Sequence, residues 1–386
     1  TYFYLDTLPM LPPLLSGQVC SLMEGEPRAA LSLFLDFDAN GRPGALELAE
    51  TRLQVGKSLS YDEAEACLNA TDESPAASSL HAMRELSRQL AGRRRAGGAL
   101  QFDLPEVRPV DDGEGVEAFR PVPHLDSHGI VEEFMLAANQ AVGRLLRHKG
   151  IAHLNRVHDA PDAEDVEELD QYLAQRKVAW RPGRPASNAD YQRLVRSLDA
   201  HPRRQGLLYR MLRSMQKAVY AAEDRGHFGL AWNDYLHFTS PIRRYSDLQL
   251  HRSLKELIAD RPDRRLRLEA GSETGPARRR AVSRAMTQLA RHLSERELVS
   301  LQAEREAMRL EMVLWARRHL GESFEAHVLS VFPTGLLLRL PDSGVDGFMP
   351  AQFLGEEWFH HDEERDILRG ERSGKVFAED DRLRVR

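Results

Sequence analysis

The chain is poor in cysteine and in long apolar runs. Its 386 residues include only two cysteines, Cys20 and Cys67. Two thiols neither require nor exclude a disulfide, so a reducing cytoplasm is the simplest location. The apolar runs are far too short to span a bilayer, and no stretch has the layout of a signal peptide. We therefore expect a cytoplasmic protein that has no membrane partner.

Lysine is also scarce. Only six of the 53 basic residues are lysine and the other 47 are arginine, while 59 acidic residues bring the net charge to −6. A GC-rich genome explains the bias, but arginine also suits bidentate phosphate contacts and stacking. The net charge argues mildly against a nucleic-acid partner. It does not exclude a local basic channel, so the distribution of charge matters more than the total.

The apolar residues that are present, 42% of the chain, change their spacing along it. Residues 1–60 have the pattern of short strands, with a hairpin turn at DANGRPG (38–44). The strongest helix pattern covers residues 129–150, where Gly150 suits a C-terminal cap. After Gly321 the period becomes two, which predicts a small β-barrel. Further helices are predicted at 163–177, 187–198, 205–222 and about 281–319, and a loop at 260–280.

The first and last residues have the composition of segments from the middle of a longer chain. The first residues, TYFYLDTLPMLP, are strongly apolar and lack a starting methionine. A free terminus is rarely this apolar unless it continues a buried element. The last residue, Arg386, lies in a strand-like run, although a five-stranded barrel needs one more return strand. We therefore expect the chain to be a segment of a longer polypeptide.

Residues 237–252, HFTSPIRRYSDLQLHR, predict a helix start that carries unusual charges. The TSP segment (239–241) supplies N-cap residues and a proline suited to the first helical position. Arg243 and Arg244 then fall in the first turn, where the macrodipole is already positive. A bound phosphate would make this arrangement favourable through charge-assisted hydrogen bonds. The alternative is that the arginines bend outward to Asp247 or to a neighbouring carboxylate.

The longer stretch GHFGLAWNDYLHFTSPIRRYSDL (226–248) closely resembles the signature of the ribonuclease II / ribonuclease R (RNB) family of exoribonucleases, and is most like ribonuclease II. Other segments resemble the family in the same order along the chain. These are LPMLPPLLSGQVCSL (8–22), IVEEFMLAAN (130–139), NRVHDAPD (155–162) and QAERE (302–306). The resemblance covers nearly the whole chain.

The resemblance implies an α+β fold in two domains. Residues 1–320 would be an RNB-type catalytic domain, a mixed sheet surrounded by helices, without its N-terminal aspartate-bearing part. Residues 321–386 would be an OB-type RNA-binding barrel that is incomplete at its end. The implied activity is processive 3′→5′ hydrolysis of single-stranded RNA to nucleoside 5′-monophosphates in RNA turnover, with Mg²⁺ as cofactor. The implied partner is single-stranded RNA, bound by a monomer.

The resemblance also implies roles for several residues. Arg243 matches the arginine that contacts the scissile phosphate, whereas Arg244 is expected to be structural or to contact a flanking phosphate. Tyr61 matches a tyrosine that stacks on the 3′-terminal base and sets the length of the final product. Phe102 matches a clamp that ends the base stack. Stacking suits a sequence-tolerant enzyme because every base has a π-face.

Three further residues are implied to bind RNA. Tyr2 aligns with the opposing clamp aromatic, although Tyr4 lies two residues away and could substitute for it. Glu132 and Glu304 match acidic residues that contact the sugar of the terminal nucleotide, where they could read a 2′-hydroxyl.

Each of these residues has a simpler interpretation. Tyr61 could be an ordinary half-buried tyrosine near a helix start, and Phe102 a core residue. Glu132 could be a solvated residue that the dipole favours near a helix start. Glu304 could pair with an arginine of its own helix.

The chain lacks the aspartate cluster that holds metal in the family, a pattern like D…DIDDA upstream of the segment where this chain starts. VHDAPD could hold a metal by its spacing, through His158, Asp159 and Asp162, but the family uses that segment structurally. We therefore assign no metal ligand here and expect the Mg²⁺ ligands upstream. The alternative is an inactive relative that only binds RNA. The aspartates considered as substitutes are Asp36, Asp38, Asp103, Asp159, Asp162 and Asp247.

Overall fold

The computed structural model describes residues 1–4, 6–70, 74–102, 104, 106–111, 116–201, 203–270, 283–341, 343–362 and 365–386. The helices are α1 (Tyr61–Asn69), α2 (Pro75–Ala96), α3 (Asp126–Lys149), α4 (Ala163–Gln175), α5 (Asn188–Ser197), α6 (Arg204–Arg213), α7 (Tyr245–Ala259) and α8 (Arg284–Arg318). The strands are β1 (Pro27–Phe37), β2 (Pro43–Gln54), β3 (Glu106–Asp111), β4 (Val116–Val122), β5 (Asn155–Val157), β6 (Val219–Ala221), β7 (Arg265–Leu268), β8 (Phe324–Phe332), β9 (Gly335–Arg339), β10 (Asp346–Pro350), β11 (Phe359–Asp362), β12 (Ile367–Gly370), β13 (Val376–Phe377) and β14 (Arg382–Val385).

Helices and strands are mixed along the chain, which confirms the predicted α+β class. The strands form a β1-β2-β7 sheet, two-stranded β3-β4 and β5-β6 sheets, and β10-β9-β8-β14 and β11-β12-β13 sheets at the C-terminal end. Neighbouring strands in these sheets run antiparallel. Parallel pairing among the described residues is confined to isolated bridges, Glu24–Val55 and His158–His227. Of the helices described, none is long and apolar enough to cross a membrane.

The predicted hairpin is formed by β1 and β2. In its turn, the Asp38 carboxylate accepts hydrogen bonds from the backbone N–H groups of Asn40 and Arg42, both at 2.8 Å, and Gly41 adopts a left-handed φ of 68°. These contacts lie within the turn itself. The prediction of a hairpin at residues 38–44 is confirmed.

The main core lies between this sheet and two helices. Leu48 of β2 packs with Val142 and Leu145 of α3 and with Leu254 of α7 in one cluster of buried side chains. α3 begins at Asp126 and ends at Lys149, and the left-handed Gly150 follows as its cap, so the predicted C-terminal cap is confirmed. α3 also carries His128, Glu132 and Asn139, which belong to the site described below.

Two secondary-structure assignments outside residues 237–252 were wrong. The helix predicted at 205–222 ends at Arg213, and residues 219–221 form strand β6 instead. β6 pairs with β5, and its Tyr220 donates its backbone N–H to Ser294 of α8 at 2.9 Å. The loop predicted at 260–280 contains strand β7, which pairs with β2. Such short strands exist because distant segments supply their hydrogen-bond partners. Residues 271–282 lie outside the described residues.

The C-terminal strands resemble the predicted OB-type barrel. α8 ends at Arg318 and β8 begins at Phe324, so the pattern changes near residue 322 as expected. β14 pairs with β8, so the last strand lies beside the first. Their core includes Val328, Leu336 and Leu368. The domain division at residue 320 stays a prediction.

The barrel is tied to the helical part by a half-buried ionic contact. The Tyr172 hydroxyl of α4 donates to the Glu379 carboxylate at 2.5 Å. The Arg176 guanidinium lies 3.2 Å from Asp366 and 3.6 Å from Glu379, and 3.5 Å from the centre of the Tyr172 ring. Burial raises the pKa of Glu379. The barrel is therefore held against α4 by specific polar contacts.

Candidate functional site

The TSPIRR segment (239–244), which we call the arginine turn, lies in front of a helix and is not its first turn. α7 begins at Tyr245, with Arg244 as its N-cap in an extended conformation (φ −126°, ψ 125°). The backbone N–H groups of Arg243 and Arg244 donate to the carbonyl of Ser240, at 3.3 and 3.0 Å. The predicted helix start at 239–241 is therefore wrong.

Asp247 explains why the chain turns here. Its fully buried carboxylate accepts hydrogen bonds from the Ser240 backbone N–H (2.8 Å), the Arg244 guanidinium (2.8 Å) and the Ser246 hydroxyl (2.9 Å). A side-chain acceptor that captures a preceding N–H competes with helical hydrogen bonding. Because the Asp247 carboxylate binds the Ser240 N–H, residues 240–244 form a turn, and the helix begins only at Tyr245.

The side chains of Arg243 and Arg244 have different environments. Arg244 is 19% exposed and forms its ion pair with Asp247, which is the alternative interpretation made from the sequence. Arg243 is exposed, and no partner for its side chain is found in the described part of the chain. Arg244 therefore shapes the turn, whereas the Arg243 guanidinium is available to a ligand.

α3 holds the other side of the arginine turn through Asn139. Its side-chain oxygen accepts the backbone N–H groups of Phe238 (2.9 Å) and Thr239 (3.3 Å), and its amide donates to the Tyr235 hydroxyl (3.2 Å). The close approach needs Gly143, because a Cβ there would lie 1.7 Å from the Asp234 carbonyl oxygen. The buried amide therefore satisfies the backbone that leads into the turn.

Tyr220 and His237, next to the arginine turn, form a pair of neutral side chains. The Tyr220 hydroxyl lies 2.9 Å from Nδ1 of His237 and 3.1 Å from the hydroxyl of Ser246. Burial, together with the cations of Arg244 and Arg156, lowers the pKa of His237 to about 2. Burial raises the pKa of Tyr220. Both groups stay uncharged at neutral pH, so the positive charge of the site resides on its arginines.

Arg156 connects this region to the long helix α8. Its guanidinium lies 2.5 Å from the Glu297 carboxylate and 4.9 Å from the centre of the Tyr220 ring. Glu297 and Glu304 are seven residues apart on α8, so both lie on the same face of the helix. One face of α8 thus contacts Arg156 through Glu297 and Tyr2 through Glu304.

Tyr2 and Glu304 are brought together although 302 residues separate them. The Tyr2 backbone N–H donates to the Glu304 carboxylate at 2.9 Å, and Thr1 and Ser300 share a hydrogen bond of 2.7 Å. The Tyr2 side chain is 53% exposed, whereas Tyr4 packs into a core cluster against α8. Among the described residues Glu304 forms no ion pair with an arginine of its own helix.

Tyr61 and Glu132 lie near the N-terminal end of α3. Tyr61 is the first residue of α1, directly after the Ser60 cap, and is 47% exposed. Its ring stacks on His128 of α3, with the ring centres 4.1 Å apart. Glu132 follows His128 by one helical turn; its side chain is 49% exposed and 3.6 Å from Arg94. Tyr61 therefore contacts the face of α3 that carries His128 and, one turn later, Glu132.

Phe102 has surroundings that agree with the core interpretation. It is half-buried and packs against the cluster formed by α4, α5 and α6, to which Phe228 also belongs. Two residues earlier, the Leu100 N–H donates to the Gly229 carbonyl at 2.8 Å. Phe102 is thus anchored beside the HFGL segment, and its clamp role stays a prediction.

The described residues do not fit a metal ion. In those ranges no group of three or more His, Cys, Asp or Glu side chains is placed to hold one. Within VHDAPD, Asp159 pairs with Arg225 at 2.8 Å, and His158 accepts the Gly229 N–H at 3.0 Å. Asp162 accepts a hydrogen bond from Gln216 at 2.9 Å. Asp103 lies outside the described residues.

Sequence reasoning missed the residues that support the site. It assigned no role to Asn139, Arg156 or His128, and considered Asp247 only as an alternative partner of the arginines and as a substitute metal ligand. The first two lie within segments that carry the family resemblance. His128 precedes Glu132 by four residues, and helical spacing could have indicated that the two share a face.

The chain is similar to known proteins over its whole length. The family model described as "RNB domain" matches residues 1–260. Ribonuclease R from Thermotoga maritima is 32% identical over 391 residues, covering 100% of this chain and 54% of that protein. The chain spans about half the length of the curated relatives it matches.

Solved structures show the same fold. Mycoplasma genitalium RNase R, solved as the apo form and with ribose-methylated single-stranded RNA, has a TM-score of 0.84 at 24% identity, covering 97% of this chain and 58% of that one. Yeast Ssd1, described as a pseudonuclease, has a TM-score of 0.69 at 18% identity, covering 95% of this chain and 44% of that one.

Proposed function

Because the chain belongs to the RNB-domain family of ribonuclease II and ribonuclease R, whose model matches residues 1–260, we propose that the whole protein hydrolyses single-stranded RNA processively from its 3′ end. The products would be nucleoside 5′-monophosphates. The observation that carries the proposal is the exposed guanidinium of Arg243 on a turn that buried hydrogen bonds hold in place. Residues 1–320 would form the catalytic domain and 321–386 the RNA-binding barrel. A monomeric state and a cytoplasmic location remain predictions.

Arg243 would act on the scissile phosphate. A guanidinium can donate two hydrogen bonds to phosphate oxygens and stabilise the charge that develops on them. The turn is held by Asp247 and Asn139 before RNA arrives, so little reorganisation is needed on binding. Arg244, already paired with Asp247, would keep the backbone of the turn in place.

The 3′-terminal nucleotides would be held by aromatic rings and acidic side chains. Tyr61 offers an exposed ring on which the last base can stack, and Glu132 lies on the same side of α3. Tyr2 and Phe102 would close the base stack, with Glu304 beside Tyr2. Stacking would make binding independent of sequence, and contacts with the sugar would favour RNA over DNA.

Magnesium would supply an activated water and neutralise phosphate charge in the whole protein. The described residues of this chain do not form a site for it. The resemblance to the family implies that the ligands lie upstream of this chain. The alternative is an inactive relative that binds RNA without cleaving it.

The proposal is tested by incubating the whole protein with 5′-labelled oligo(A) and Mg²⁺. We expect stepwise shortening to a short final product, and we expect EDTA to stop it because metal-assisted phosphoryl transfer needs the ion. A DNA oligonucleotide of the same sequence is the control and should stay intact. An unchanged rate in EDTA would contradict the metal mechanism, while tight binding without any cleavage would support the inactive alternative.

Tyr61→Ala is expected to lengthen the final product with little change in the initial rate. Removing the ring removes a stacking contact that matters most when few nucleotides remain bound. Product ladders on a sequencing gel measure the change. Tyr61→Phe keeps the ring and should give the wild-type product. If the ladder of Tyr61→Ala is also that of the wild type, Tyr61 is an ordinary residue of the α1 start.

A further inference from the structure

His128 lies between two residues that we propose to hold the 3′-terminal nucleotide. Its ring stacks on Tyr61 with the planes inclined by 30°, and Glu132 follows one helical turn later on α3. The ring of His124 also lies near that of His128, with the ring centres 6.1 Å apart. The imidazole of His128 therefore covers one part of the Tyr61 ring, and another part of the ring stays exposed.

The orientation of His128 is determined by a backbone hydrogen bond. Nδ1 accepts the N–H of Leu125, the N-cap residue of α3, at 3.2 Å. Leu125 has no polar side chain, so His128, at the third helical position, supplies the acceptor that glutamate supplies in a capping box. An accepting Nδ1 places the ring proton of the neutral imidazole on Nε2. The ring cannot turn away from Tyr61 without breaking this bond.

A second contact binds α1 to the same helix end. The Glu65 carboxylate accepts the backbone N–H of Ser127 at 3.0 Å. Ser127 is buried, and an anion at a helix N-terminus is favourable for the macrodipole. Tyr61 and Glu65 are four residues apart on α1, so they face α3 together. The backbone position of Tyr61 is thus set by Glu65, and the plane of its ring by His128.

We propose that His128 is a positioning residue that holds the Tyr61 ring in the plane required to stack on the 3′-terminal base. This inference rests on the proposed function and deepens it. A ring that is free to rotate must lose that freedom when the base binds, which weakens the stack. His128 itself need not touch RNA, because it acts through Tyr61.

Two substitutions separate the ring of His128 from its capping role. His128→Asn keeps an acceptor, because the asparagine Oδ1 lies where Nδ1 lies in histidine, but it removes the ring. His128→Phe keeps a ring but removes the acceptor, which leaves the Leu125 N–H without its partner. We expect His128→Asn to lengthen the final product of oligo(A) digestion. We expect His128→Phe, which keeps a ring but loses the bond that orients it, to give a product between those of the wild type and His128→Asn, together with a lower melting temperature.

Binding is measured separately in EDTA, with a short oligo(A) that carries 2-aminopurine at its 3′ end. Stacking of that base on Tyr61 should quench its fluorescence. His128→Asn should lose most of the quench and weaken binding of this short RNA about tenfold, part of the energy of one base stack. In the Tyr61→Ala background it should have no further effect, because the two residues act as one unit.

The inference is overturned if His128→Asn keeps the wild-type quench, if its effect adds in full to that of Tyr61→Ala, or if His128→Phe loses the quench equally. The assay without metal tests the ring pair even if the protein does not hydrolyse RNA. A wild-type quench without hydrolysis would reject the proposed activity alone. Binding without any quench would reject the role of the ring pair.

Discussion

Replacing Arg243 with alanine is expected to slow turnover on the order of 10³-fold while RNA affinity stays within about tenfold. The guanidinium is exposed and has no partner among the described residues, so its removal leaves no buried charge behind. The loss should fall on the step in which charge develops on the phosphate. One arginine is a small part of an interface with many phosphates, so binding should change little.

Single-turnover hydrolysis of the whole protein with Mg²⁺, and RNA binding in EDTA, measure the two effects separately. Arg243→Lys keeps the charge but loses the planar fork, and should also lose most turnover. The matched control is Arg267→Ala, since this exposed guanidinium already pairs with Glu47 at 2.7 Å and with Asp263. Its turnover should remain near that of the wild type. An equal loss of binding and turnover in Arg243→Ala would place Arg243 in general docking instead.

Asp247→Ala is expected to lower the free energy of unfolding by about 3–5 kcal/mol, the range for breaking a buried ion pair. The substitution leaves the Arg244 guanidinium, 19% exposed, without its carboxylate. It also removes the acceptor of the Ser240 N–H, which is the hydrogen bond that holds the arginine turn in its conformation. Asp247→Asn keeps one acceptor oxygen and should destabilise the protein less.

Urea denaturation of the purified variants measures this effect. Asp159→Ala is the matched control, because Asp159 and Arg225 form a similar pair at 2.8 Å on the surface. Exposed ion pairs contribute about 0–1 kcal/mol to the free energy of unfolding, so this variant should unfold near the wild-type urea midpoint. A loss for Asp247→Ala no larger than that of the control would show that the turn is held by other contacts.

Elements with complete local signals were predictable from the sequence. The β1–β2 hairpin closes through Asp38 and Gly41, which both lie in the turn itself. α3 has a continuous apolar stripe and a terminal glycine, Gly150. In contrast, β6 and β7 are strands of three and four residues whose pairing partners are remote in the chain. No local pattern marks such strands, since their stability comes from the sheet they join.

The site was predictable in its residue types and not in its contacts. The HFTSPIRRY signature pointed to Arg243, and separate segments pointed to Tyr61, Glu132 and Glu304. Spacing could not tell which arginine is free, because that depends on the burial of Asp247 and on the turn that it forms.

The sequence by itself determined the family, the α+β class and the chemical character of the candidate site, because these depend on residue types and their order. Only the tertiary structure decided how those residues are supported. Arg244 pairs with Asp247, and Arg243 stays exposed. The Tyr2 backbone donates to Glu304, and the Tyr61 ring packs on His128. The physical reason is that burial and long-range hydrogen bonds arise between segments far apart in the chain, and a local pattern carries no record of its remote partners.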